Sequence, residues 1–92
     1  MYAEDILKSL EGMEDRFTSL ASSECIPVID YAVDGEAIIL IVGKEEPYPL
    51  KDLIRRFRMD KGHEVRMMTK RARNVVGSLI AYNPLTNDLK FL

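Results

Sequence analysis

Cysteine and histidine are nearly missing from this chain of 92 residues: Cys25 and His63 each stand alone. One cysteine cannot close an internal disulfide, so a reducing, cytoplasmic compartment is the expectation. A structural zinc site needs four Cys or His ligands, which do not exist here. A nucleophilic pair would have to join Cys25 and His63 from different elements. Nothing in their spacing brings a base within hydrogen-bond reach of a nucleophile. Cys25 therefore reads as a small buried residue before the first strand, and His63 as a polar residue at a strand start.

Long apolar runs are missing too. The longest, residues 37–42, falls far short of the roughly 20 residues of a membrane helix and suits a buried strand. Met1-Tyr2-Ala3-Glu4-Asp5 lacks the basic-then-apolar pattern of an export signal. Gly43-Lys44 follows a strand-like run, but the flanking glycines of a phosphate loop are absent. Asp30, Asp34, Glu36, Glu45 and Glu46 match no calcium-loop spacing and read as a solvated rim. The expectation is a protein with no catalytic machinery, no cofactor, no metal and no membrane contact.

What is present is ordinary globular composition, 47% apolar and 30% charged, at single-domain length (1–92). The charges are unevenly placed. Residues 1–46 hold eleven acids and three bases, and residues 47–92 hold ten bases and four acids. If the halves segregate in space, one face is acidic and another basic.

Ala3, Ile6, Leu7, Leu10, Met13, Phe17 and Leu20 recur every three or four positions and predict an amphipathic helix over 3–20. Residues 21–24 read as a loop. Residues 26–33 and 36–43 read as a hairpin around a type I′ turn at Asp34-Gly35. Pro49 suits the first position of a second helix carrying Leu50, Leu53, Ile54 and Phe57, which stops near Lys61-Gly62. Strands follow over 63–69, 75–82 and 89–92, with an exposed basic link at 70–74. Met67 and Met68 are read as core and surface filler. The expected fold is α+β in the order α-β-β-α-β-β-β, a small mixed or antiparallel sheet packed by two helices.

Residues 51–73 form the one notable constellation. Lys51, Arg55, Arg56, Arg58, Lys61, Arg66, Lys70, Arg71 and Arg73 face only Asp52, Asp60 and Glu64. Lys51, Arg55 and Arg58 share one helix face by spacing, and Lys70, Arg71 and Arg73 sit in a hairpin loop expected to reach the same ligand. Cations that meet phosphates release condensed counterions, the usual source of sequence-independent affinity. Lys51, Arg55, Arg56, Arg58, Lys61, Lys70, Arg71 and Arg73 are accordingly the expected nucleic-acid contacts, RNA favoured. Tyr31, Tyr48 and Tyr82 would add base stacking if exposed. The opposing expectation is that the acidic first helix neutralises these cations.

Residues 28–69 supply a hairpin, a strand ending Ile41-Val42-Gly43-Lys44, a helix Leu50-Lys51-Asp52-Leu53-Ile54-Arg55-Arg56-Phe57 and a strand His63-Glu64-Val65-Arg66-Met67-Met68. With the first helix in front, this order resembles type II KH domains, in particular divergent KH modules of archaeal RNA-processing and transcription proteins. The resemblance implies RNA binding. It departs from the family where a Gly-x-x-Gly loop clamps nucleotides, because residues 43–49 hold one glycine, two acids and two prolines. A KH-like module with such a loop implies a scaffold or protein contact instead. The alternative function is a protein-interaction or regulatory module, a homodimer formed through helix or edge-strand contacts, with the last strand, Leu89 to Leu92, or the hairpin edge available for strand addition.

Overall fold

Apolar spacing and a few special backbone positions set the elements. In the computed structural model, which describes all 92 residues, helix α1 (Ala3–Leu10) buries Ala3, Ile6 and Leu10 along one stripe. Glu4 and Asp5 occupy its first turn, where carboxylates favour the positive end of the helix dipole. Asp5 also accepts the Tyr2 backbone N–H at 3.1 Å.

The helix expected over 3–20 stops at Leu10. Gly12 has φ +80°, a left-handed conformation of the kind that ends helices, and the Met13 N–H donates back to the Leu10 carbonyl at 2.9 Å. One 3₁₀ turn (Glu14–Arg16) and a strand, β1 (Ser19–Ser22), follow. Phe17 and Leu20 are buried as their apolarity requires, but from outside the helix. The expected loop therefore starts after Ser22. Cys25 lies in it, exposed rather than buried, because the chain reverses there: its φ is +65° and its N–H reaches the Ser22 carbonyl at 2.8 Å.

Strands β2 (Val28–Asp34) and β3 (Ala37–Val42) form the expected antiparallel hairpin. Its turn centres one residue later than expected. Asp34 pairs with Ala37, and of the central residues Gly35 and Glu36 only Gly35 has positive φ, +59°. That is the type II′ pattern, not type I′. Helix α2 (Leu50–Met59) buries Leu50, Leu53, Ile54 and Phe57, with Pro49 just ahead of its first residue. It is the crossover to β4 (Glu64–Thr69), which runs parallel to β3.

The strand expected over 75–82 is divided between two sheets. Strand β5 (Asn74–Val75) pairs with β4, whereas β6 (Leu79–Asn83) lies between β1 and β7 (Asp88–Phe91). Between β5 and β6, Val76 is exposed and Gly77 has φ +124°. A Cβ on Gly77 would stand 2.7 Å from Ser23 Oγ, the end of an exposed side chain that can turn aside, so the positive φ is what requires glycine at this bend.

The result is a small α+β domain in which two helices pack a mixed sheet, β2-β3-β4-β5, beside an antiparallel sheet, β1-β6-β7. The expected series of elements is contained in it, with β1 added and one strand split. A single cluster of 17 buried residues draws on both helices and both sheets, Ile6, Leu20, Leu40, Phe57 and Leu79 among them. No helix is long and apolar enough to cross a membrane.

Glycine substitutions test the bend. Gly77→Ala should lower stability by about 1–3 kcal/mol through backbone strain. Gly62→Ala, with open space around it and no positive φ, should change stability by less than about 1 kcal/mol, toward stabilisation. Urea unfolding of both variants distinguishes them; equal losses would place the constraint elsewhere.

Candidate interaction surfaces

Parallel pairing of β3 with β4 decides where the cations go. Val42 pairs with Thr69, so the 70–73 loop lies beside residues 43–46, at the end where α2 begins. The far end of α2 adjoins α1, whose Glu4 N–H donates to the Lys61 carbonyl at 3.0 Å. About 10 Å of helix separates Lys51 from Arg58. The sequence-expected strip is thereby broken into two groups.

Arg58 and Lys61 share a groove with Lys8 and with Glu4, Glu11 and Glu14 of the first segment. Three bases there meet three acids, so this end offers no net cation. Of the other expected contacts, Arg55 pairs with the half-buried Asp52 at 3.7 Å and Lys70 with Glu45, the other three largely solvent-facing. Exposed pairs of this kind are worth ~0–1 kcal/mol and open readily. Arg56 is different. It donates to Asp60 at 3.1 Å and to the Tyr31 hydroxyl at 3.4 Å, and its guanidinium stands 5.8 Å over the Tyr31 ring. The hydrogen bond to Tyr31, then that to Asp60, raises its pKa further. Arg56 is a structural cation.

Lys51, Arg71 and Arg73 are exposed and make no ion pair. They remain as a smaller cationic cluster with Lys44 and Lys70, at the end that also carries Glu45, Glu46 and Asp52. Arg66, on the neighbouring strand, is held by both Glu64 oxygens at 3.2 Å, and that pairing lowers the Glu64 pKa.

The tyrosines divide as well. Tyr31 and Tyr48, both half-buried, pack edge to face at 5.5 Å, which uses an edge of one ring and a face of the other. Burial, then the charges of Tyr31, Asp52 and Asp30, pushes the Tyr48 hydroxyl pKa up. The Tyr48 N–H also donates to the Val28 carbonyl at 2.8 Å. Tyr48 thus ties down its end of the stretch 43–49, whereas Lys44, Glu45 and Glu46 stay exposed.

The sequence pointed to the 89–92 strand as a contact edge and to Tyr82 separately, but not to the face they share, the outer side of β1-β6-β7. Residues directly opposite on paired strands share a face. Leu20 and Ala81 face the core. The alternate set therefore faces out: Ala21 opposite Ile80, Ile80 opposite Phe91, Tyr82 opposite Leu89. Ile80 and Ala21 form a nearly covered floor at 2% and 3% exposure, whereas Leu89 and Phe91 are 52% and 64% exposed. With Cys25, four of these residues line a depression of about 140 Å³ that is apolar throughout. Alternation within Leu89-Lys90-Phe91 was the available signal; the division of the 75–82 segment hid its partners.

On the other side of β7, Asp88 accepts from Arg16 Nη2 at 3.1 Å and from Thr86 Oγ1 at 3.0 Å. The Arg16 hydrogen bond, then Thr86, holds the Asp88 pKa below the usual carboxylate range.

No protein-family model, no curated protein and no solved structure matches the chain.

A depressed folded-state pKa means that the Asp88 contribution to stability is fully present above the unfolded value and is lost as pH falls through the folded one. Asp88→Asn should accordingly be less stable than the parent at pH 7, and the difference in Tm should close as pH drops below about 4. A gap that persists unchanged in acid would show that the charge of Asp88 contributes nothing.

Proposed function

We propose that the chain is a non-catalytic protein-interaction module whose contact surface is the outer face of the β1-β6-β7 sheet. One observation carries this reading: exposed Leu89 and Phe91 continue the covered Ile80 and Ala21 and the half-buried Tyr82 into one contiguous row, on a sheet whose β7 edge is unpaired. Contiguous exposed apolar groups mark contact surfaces, whereas scattered ones do not. An open strand edge adds main-chain donors and acceptors for strand addition. The free cysteine fits a reducing, cytoplasmic setting.

A second reading has its own observation. Lys51, Arg71 and Arg73 are unpaired at one end of the mixed sheet, and Lys70 and Arg55 are held only by exposed carboxylates. This cluster suits backbone contact with RNA, and the KH-like element order belongs to the same reading. The balanced groove at Arg58 and Lys61 and the internal role of Arg56 limit it to fewer phosphates than the sequence suggests.

Leu89→Ser/Phe91→Ser tests the first reading. The variant should lose association, whether with itself or with a co-purifying protein, while its stability changes by under about 1 kcal/mol, as for exposed positions. Identical sedimentation and identical co-purifying proteins for variant and parent would refute it. For the second, Arg71→Ala/Arg73→Ala should weaken binding to single-stranded RNA and flatten its log–log salt dependence by about 1–2. Unchanged RNA affinity would remove that reading.

A further inference from the structure

Strand β7 has a backbone direction and a charge pattern that select one partner. The Leu92 N–H donates to the Leu79 carbonyl at 2.9 Å. In an antiparallel ladder, residues alternate between bonding toward the partner and pointing away. Lys90 and Asp88 therefore direct their backbone groups toward β6, and Leu89 and Phe91 direct theirs to the open edge. β7 is a terminal strand of its sheet, so the Leu89 and Phe91 groups have no strand beside them.

The geometry points to a second copy of this chain as the occupant, its β7 laid antiparallel along the first with Leu89 at the two-fold axis. This rests on the contact surface assigned above and names its partner. A charged residue pointing inward from an edge strand ordinarily discourages pairing. Here an acid and a base stand two residues apart on one side of the strand. With Leu89 opposite Leu89 of the copy, Asp88 of each chain, while still accepting from its own Arg16 and Thr86, faces Lys90 of the other, twice over. A slip of the pairing by one permitted step sets Lys90 against Lys90 in one direction and Asp88 against Asp88 in the other. Like charges directly opposite destabilise a pair and unlike charges favour it, so the pattern that blocks loose stacking admits this register. Two-fold symmetry demands such self-complementarity. On the other side of the strand, the same register joins the two Tyr82–Leu89 rows into one apolar band across a six-stranded sheet.

Sedimentation equilibrium over a range of concentrations tests whether the full chain dimerises, and cysteine cross-linking tests the register. Directly opposed, hydrogen-bonded residues have Cα atoms about 5.5 Å apart, within disulfide reach. In a Cys25→Ser background, Leu89→Cys should form a disulfide-linked dimer under mild oxidation and Phe91→Cys should not. Lys90→Asp should raise the dimer dissociation constant at least tenfold. A dimer that cross-links through Phe91→Cys, or not through Leu89→Cys, overturns the inference. So does a monomer at every concentration. If that monomer still recovers another protein, and Leu89→Ser/Phe91→Ser abolishes the recovery, only the choice of occupant fails. If the recovery is unaffected, the contact surface fails with it.

Discussion

The chain changes sheets at Gly77, and the apolar face of the β1-β6-β7 sheet depends on that bend. Val75 is still paired with Met67 on the mixed sheet, and Leu79 already pairs with Ser22 on the other. Three residues make the transfer, at a φ of +124° that side chains resist. Because β6 leaves the mixed sheet, it can take β1 on one side and β7 on the other. A straight strand over this segment would have left β1 unpartnered and Leu89 and Phe91 without the floor of Ile80 and Ala21. The bend thus turns a run of apolar residues into a separate surface.

Core and surface share the work along each strand. In β6, Leu79 and Ala81 belong to the main apolar cluster while Ile80 and Tyr82 face away from it. Burying a large aliphatic side chain stabilises by about 1.5–3 kcal/mol, so the inward set anchors the sheet. Ile80 is covered almost as well, at 2% exposure, by its neighbours on the outer face. The Arg16–Asp88 bond then ties the 3₁₀ turn to the start of β7, across 72 positions of sequence. β7 is therefore positioned at both sides although its edge is open.

Much of the fold was legible in the sequence. The hairpin, α2 and β4 followed from alternation, a proline and one apolar stripe. Where reading failed, a glycine was decisive. Gly12 ended a helix whose apolar spacing continues through Phe17 and Leu20, since a three-to-four repeat is also compatible with a turn followed by a strand. Gly77 split a β-branched run that local propensity reads as continuous. The candidate site was less legible. Nine basic residues over 51–73 suggested a strip, but their separation depends on the parallel crossover, a long-range fact. The pairing of Arg56 with Tyr31, 25 positions away, likewise has no local signature. The apolar face required knowing that residues 19–22, 79–83 and 88–91 meet.

Amide hydrogen exchange at β7, followed against protein concentration, reports directly on pairing along its open edge. The Lys90 N–H is directed to β6 and serves as an internal reference for an intact strand. The Leu89 amide, fast in dilute solution, should become protected as concentration rises while Lys90 is protected throughout. A Leu89 amide that exchanges at one rate in dilute and concentrated protein, beside a protected Lys90, would contradict that pairing.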